Sequence, residues 1–305
     1  MQSKPMLAVL FSSLVAVATP CAAPARAVAG DIFVTNYSQG YVGEYTTSGS
    51  TVNASLFVGP GGARGMTVSA GNLFIAGASD KIGEYTTAGA TVSFPLVSIS
   101  LSNGPMLGLT TSGGNLFVTE VAGDGPGNGT ISEYTTAGAT VNVSLVHGLI
   151  DPGAIAASGS DLFVSSTPGT VGEYTTSGGT VNSSLITGLG SVGGIAISGN
   201  DLFIATASAI GEYTLTGSVV DATLITTPNT ISDIAVSGND LFVTSESAGT
   251  IGEYTTSGGV VNPSLITGLT TPTAIFDVPE PSSLLLVSIS AAGLALAARR
   301  RMRPR

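Results

Sequence analysis

The stretch Gly249–Leu265, GTIGEYTTSGGVVNPSL, recurs in near-copy six times along a chain of 305 residues. Its Glu-Tyr pair returns at Tyr45, Tyr85, Tyr134, Tyr174, Tyr213 and Tyr254, in steps of 40, 49, 40, 39 and 41 residues. A period near forty points to propellers or repeat arrays. An aliphatic-Phe pair recurs in step with it at Phe33, Phe74, Phe117, Phe163, Phe203 and Phe242. The whole unit therefore repeats, and one copy is one structural unit.

Within a unit, runs rich in β-branched and aromatic residues alternate with Gly, Asn, Asp and Ser, as in GIAIS, DLFIA, AIGEYTL and VVDATLI. This reads as four consecutive strands. In the third strand, the residue two before Glu is always Val or Ile (Val42, Ile82, Ile131, Val171, Ile210, Ile251). Strand alternation puts it on the Glu face and turns Tyr to the other. The SGND and TTSGG segments place Gly and Asn where hairpins need positive φ. The expected fold is all-β, a six-bladed propeller of four-stranded antiparallel blades. The rival is a parallel β-helix with two rungs per period, which would need longer crossovers than these turns provide.

The first unit lacks its first strand and begins at Asp31-Ile32-Phe33, while an extra strand, Ala274–Asp277, follows the sixth. The C-terminal strand is therefore expected to complete the first blade and close the ring, which removes open edges. Three segments result: 1–29, 30–278 as the propeller, and 279–305.

Composition supports this reading and excludes some partners. The 42 glycines and the abundance of Ser, Thr and Val suit β-structure. Only 9% of residues are charged, against about 25% in a typical soluble domain. Residues 30–278 hold 18 acidic side chains and two basic ones, Arg64 and Lys81, for a net charge of −16. That surface repels phosphate backbones, so nucleic acid is not an expected partner. Cys21 is the only cysteine, which leaves residues 30–278 without a disulfide or a thiolate metal site. There is no Trp, and hence no tryptophan-aspartate propeller signature.

Both ends read as addresses. Lys4, the apolar run Met6–Ala18, then Pro20 and small residues form the three regions of a secretory signal peptide, engaging the export machinery. Cleavage is expected after Ala29, with Ala23 and Ala27 as alternatives. At the other end, Val278-Pro279-Glu280-Pro281 precedes Ser282, Ser283, the apolar run Leu284–Ala298 and the arginines Arg299, Arg300, Arg301, Arg303 and Arg305. This segment resembles the PEP-CTERM sorting signal of Gram-negative bacteria. The resemblance implies recognition by an exosortase at the inner membrane, removal of the tail, and delivery to the cell surface or extracellular polysaccharide. The apolar run is short for a permanent span of about 20 residues, and the arginines hold that end in the cytoplasm. A single transmembrane helix serving as a transient inner-membrane anchor is expected, with an ordinary permanent anchor as the alternative.

By antiparallel alternation, the loops joining strands two and three, and those joining successive blades, share one face. These loops vary, and binding residues favour variable loops on a rigid scaffold. Two insertions, Ser93–Pro105 and Glu120–Gly129, flank or enter the third blade there. The binding-face candidates are Glu120, Asp124, Asn128, His147 and Asp151. The second insertion could offer oxygen ligands to calcium but lacks the D-x-D-x-D-G spacing, so no metal or other cofactor is assigned. His147, the only histidine, has no matching nucleophile or second ligand, and no catalytic residue is assigned. The six Glu-Tyr pairs carry a shared structural job, Tyr packing between blades and Glu solvated or bonded to a turn. Asn-x-Ser/Thr triplets at Asn36, Asn53, Asn128, Asn142 and Asn182 reflect the abundance of Ser and Thr.

Three functions compete. The first is a non-catalytic surface or matrix protein whose variable face binds polysaccharide or an envelope partner. The second is an enzyme: the blades are loosely similar to NHL-type and streptogramin-lyase-like propellers. That resemblance implies metal-assisted lyase or lactonase chemistry at the channel mouth, and here only His147, Glu120, Asp124 and Asp151 could serve it. The third is a purely structural surface-layer repeat.

Overall fold

A computed structural model describes residues 30–99, 106–121 and 127–277, which form six four-stranded sheets. Blade five shows the plan: Val192–Ser198, Asp201–Thr206, Ala209–Thr214 and Val219–Thr226 pair consecutively and antiparallel. Alternation sends Leu202, Ile204 and Tyr213 to one face, against Phe163 and Val171 of blade four. It sends Ala196, Phe203 and Ile210 to the other, against Leu241 and Val243 of blade six. Each sheet is thus covered on both sides, which is why the second strands read as almost continuous apolar runs. All six repeat phenylalanines are at most 2% exposed, and burying such a side chain stabilises the fold by about 1.5–3 kcal/mol. The propeller is present, and no long parallel crossover of a β-helix occurs among the described residues.

The third strand shows why the repeat reads Gly-Glu-Tyr. Each Tyr lies back along its own strand over the Gly two residues earlier. A Cβ on Gly43, Gly83, Gly172, Gly211 or Gly252 would sit 2.6–2.9 Å from Cε2 of that ring. Blade three carries Ser132 at this position, and its hydroxyl donates to the Val143 carbonyl at 2.8 Å. The tyrosines are 2–5% exposed and packed between blades, as their side of the alternation requires.

The fourth strand carries a regular bulge: Glu212 faces Asp221 while Tyr213 faces Val219, so one extra residue sits on the outer strand. The Oδ1 atoms of Asn53, Asn142, Asn182, Asp221 and Asn262 accept from the backbone N–H two residues on, at 2.9–3.2 Å. These local bonds at the bulge account for the Asn-x-Ser triplets at Asn53, Asn142 and Asn182. The bulge also twists an outer edge that has few charges to protect it.

Closure follows the expected plan, with Ile32 opposite Asp277, Phe33 opposite Phe276 and Val34 opposite Ile275. The closing strand is Pro272–Asp277, two residues longer than the sequence indicated. Pro fits at its first position, where no ladder N–H is needed. Thr273 Oγ1 donates to the Ala63 carbonyl of blade two at 2.8 Å, and Thr35 Oγ1 accepts from Ala274 N at 2.9 Å.

On the face opposite the variable loops, the third-to-fourth turns dock on the preceding blade. Gly178 (φ +89°) lies so close to Leu145 that a Cβ would be 2.6 Å from its carbonyl oxygen, and Gly258 repeats the contact on Leu224. Only glycine satisfies both the positive φ and the approach. The residues proposed as signal peptide and as sorting segment lie outside the described residues.

Candidate functional site

Strand direction places Glu120, Asn128, His147 and Asp151 on the variable face but does not converge them. Glu120 ends the second strand of blade three, opposite Thr130, which is itself opposite His147 on the outer strand. Glu120 is 1% exposed and sits inside the wall between blades, whereas Asn128, His147 and Asp151 are exposed. Asp151 adopts φ +43°, a turn conformation between blades three and four. Tyr134 shares the wall with Glu120. Its pKa is pushed up to about 12, first by burial and then by the Glu120 carboxylate, against a lowering bond from Ser132. Asp124 lies outside the described residues. Of the first insertion, residues 93–98 belong to the outer strand Thr91–Ser98, and 100–105 lie outside the described residues. Among the described residues, no three His, Cys, Asp or Glu side chains gather as a metal site.

The inner strands line an axial channel of about 610 Å³ whose chemistry the repeat had hidden. One position of that strand is Gly65, Gly108, Ala154, Gly194 or Ala274 in five blades, and Asp233 in the sixth. It faces the next blade at close range: a Cβ on Gly194 would come 2.9 Å from Ile234 N, and one on Gly65 would come 2.9 Å from Leu109 N. Small residues are therefore required. Asp233 fits because its carboxylate takes up backbone donors, Oδ1 accepting from Ile234 N at 2.9 Å and Oδ2 from Ile275 N at 3.1 Å. Desolvation pushes its pKa to about 7, although both backbone bonds pull it down. Asp233 thus ties blade six to the closing strand. Thr119 plays a similar part in blade three, its Oγ1 accepting from Gly108 N at 2.8 Å and donating to the Gly153 carbonyl at 2.6 Å.

At the channel mouth on the variable face, the Arg64 guanidinium lies 5.0 Å over the Tyr37 ring. The geometry is that of a cation–π contact. Glu246, which is exposed, also lines the channel, its N–H donating to Ser232 Oγ at 2.8 Å. The mouth therefore offers one aromatic-backed cation, carboxylates and hydroxyls, the groups that bind polar neutral ligands by stacking and hydrogen bonding. A departure from the repeat, SDIAVS in place of GGIAIS, with a carboxylate where the other blades have a small residue, was the available signal for Asp233.

The opposite face has its own pattern. In blades two and three, Asn72 and Asn115 donate through Nδ2 to Glu84 and Glu133 at 2.7 and 2.6 Å. In the other four blades that Asn is Asp31, Asp161, Asp201 or Asp240, beside Glu44, Glu173, Glu212 or Glu253. Each of these glutamates has a raised pKa, first from burial and then from its aspartate neighbour.

Residues 277–301 match the family model of the PEP-CTERM protein-sorting motif. The chain carries a PEP-CTERM sorting motif. Pro279, Glu280, Pro281, Arg299, Arg300 and Arg301 all fall within the match, which starts on the last residue of the closing strand. The motif implies recognition by an exosortase, export, and transit anchored in a membrane. No curated protein matches the chain. Among solved structures, a chain of the nidogen/laminin complex aligns with TM-score 0.67 and 13% identity, over 81% of this chain and 98% of that one. XC5397 from Xanthomonas campestris, described as a gluconolactonase, aligns with TM-score 0.57 and 15% identity, over 72% and 84%. The WD40 propeller domain of Doa1 aligns with TM-score 0.56 and 14% identity, over 77% and 79%. At such identities the likeness is one of fold.

Proposed function

We propose that this PEP-CTERM protein is a non-catalytic component of the cell surface or extracellular matrix, and that its variable face, centred on the channel mouth, binds polysaccharide or an envelope partner. In this reading residues 1–29 are a cleaved secretory signal, 30–278 the mature propeller and 279–305 the segment that the exosortase removes. The sorting motif carries the proposal. Tyr37 and Arg64 supply a stacking surface, and Ser232, Asp233 and Glu246 supply hydrogen-bonding groups around it. The test is retention of the processed protein on the producing cell's own exopolysaccharide across salt and calcium concentrations. Retention lost on Tyr37→Ala supports the proposal, and no retention under any condition refutes it.

Two other readings have an observation each. The fold likeness to a gluconolactonase favours a lactonase or lyase, but the described residues bring no three metal-ligating side chains together. A divalent-cation-dependent rise in Tm, abolished by Asp124→Ala, would favour the enzyme. The outer strands expose an equivalent valine in every blade (Val52, Val92, Val141, Val181, Val220, Val261), each 50–55% accessible. Ordered self-assembly of the purified protein would favour a surface-layer role instead.

A further inference from the structure

The closing strand decides which way the anchored molecule faces. It is the innermost strand of blade one and runs from the variable face, at Pro272, to the opposite face, at Asp277. Its partner, Asp31–Asn36, begins on that same face, with Ile32 opposite Asp277. Both ends of the described chain therefore leave from neighbouring strands on the face of the SGND and TTSGG turns. Between Asp277 and the apolar run at Leu284 stand six residues: Val278, the Pro-Glu-Pro motif, Ser282 and Ser283.

Six residues span at most about 20 Å when fully extended. Turning the variable face toward the bilayer would require the tether to pass outward over three strand spacings, about 14 Å, and then along a strand length of about 20 Å. Threading it back through the channel does no better. Six residues running beside the six-residue closing strand end level with its start, short of the loops that carry Tyr37 and Glu246.

We infer that, while the sorting segment holds the protein in the membrane, the conserved-turn face is turned to the bilayer and the sorting protease, and the channel mouth is turned away, open to ligand before release. The face turned to the bilayer carries the half-buried Asp-Glu pairs of blades four, five and six, while that of blade one is buried. A face of that charge has no attraction for anionic lipid. The tether alone holds it there, and cutting the tether is sufficient for release.

This inference rests on the anchoring reading above, and the experiment separates the two. The full chain, with Cys21→Ser and a single Asn200→Cys on the inner turn or Ser247→Cys at the channel mouth, is reconstituted into vesicles containing anionic lipid. Co-sedimentation with the vesicles reports anchoring; failure to sediment refutes the anchor and with it the inference. In sedimenting protein, a bulky membrane-impermeant maleimide is expected to label Ser247→Cys several-fold faster than Asn200→Cys. Detergent, or a long Gly-Ser insertion between Asp277 and Val278, is expected to abolish the difference. Equal rates in vesicles, or the reverse order, overturn the orientation.

Discussion

Asp161→Asn is expected to stabilise the propeller at neutral pH. Blades two and three show what the substitution should build: Asn72 and Asn115 reach Glu84 and Glu133 at 2.7 and 2.6 Å from the residue position that Asp161 occupies beside Glu173. The wild-type pair instead sets one carboxylate against another, with the Glu173 pKa raised above 4.5 by burial first and Asp161 second. A hydrogen bond to a charged group contributes about 1.5–3 kcal/mol in protected settings. Both side chains are only half-buried, so solvent screening reduces the expected gain to about 1 kcal/mol. That raises Tm by roughly 2–4 °C for a domain of this size. The sign with pH follows from linkage. The folded state holds the Glu173 proton to higher pH than the unfolded chain does, so wild-type stability falls as pH rises from about 4.5 through the raised value. In acid, a protonated Glu173 can itself donate to Asp161, and the advantage of the variant should shrink. Calorimetry of wild type and variant at pH 7 and pH 4 measures both effects. A lowered Tm at pH 7, or a gain just as large at pH 4, would refute the reasoning. Asn72→Asp should produce the opposite shift in blade two.

Three further outcomes follow from the same geometry. Gly211→Ala drives a Cβ to 2.8 Å from the Tyr213 ring, and urea denaturation should show a loss of about 1–3 kcal/mol from overpacking. Thr119→Val leaves the Gly108 N–H and the Gly153 carbonyl without the hydroxyl that bridges them. A cost of about 1–3 kcal/mol is expected for each buried group left unpaired, read by the same denaturation. Asp233, with a pKa of about 7 when folded and 3.8 as the reference, makes stability fall as pH rises from about 4 to 7. In Asp233→Asn that slope should flatten whatever the absolute stability, and urea midpoints across this range measure it.

The ring was legible in the sequence because a propeller repeats its constraints. Phe203 and its five counterparts must fill the same inter-blade space, and Tyr213 must lie over Gly211 in the same way, so selection for packing writes the same letters each time. The glycine of Gly-Glu-Tyr is informative only once the ring over it is seen, since spacing alone does not reveal a side chain folded back on its own strand. The Asn-x-Ser triplets looked accidental because an Asx bond at a bulge and a glycosylation acceptor share their spelling. Candidate-site residues were harder to judge, since loop position foretells exposure but not convergence: Glu120 belongs to a variable segment yet its side chain is walled in.

The channel escaped for the converse reason. Its lining comes from the inner strands of all six blades, which lie far apart in sequence, and no local pattern announces it. What distinguishes Asp233 and Arg64 is departure from the repeat, where five blades accept a small residue or none offers a second cation at that level. In a repeat fold, agreement among copies encodes the scaffold, and a ligand that sits on the axis can be recognised only by residues that break the symmetry. The asymmetry concentrates where blade six meets the closing strand, through the bond from Ile275 N to Asp233. The same strand runs directly into the sorting motif. Ring closure, the irregular wall of the channel and the attachment to the membrane therefore depend on one six-residue strand, so a lesion there should disturb folding, ligand retention and anchored orientation together, whereas the equivalent lesion in the inner strand of blade four should spare the last.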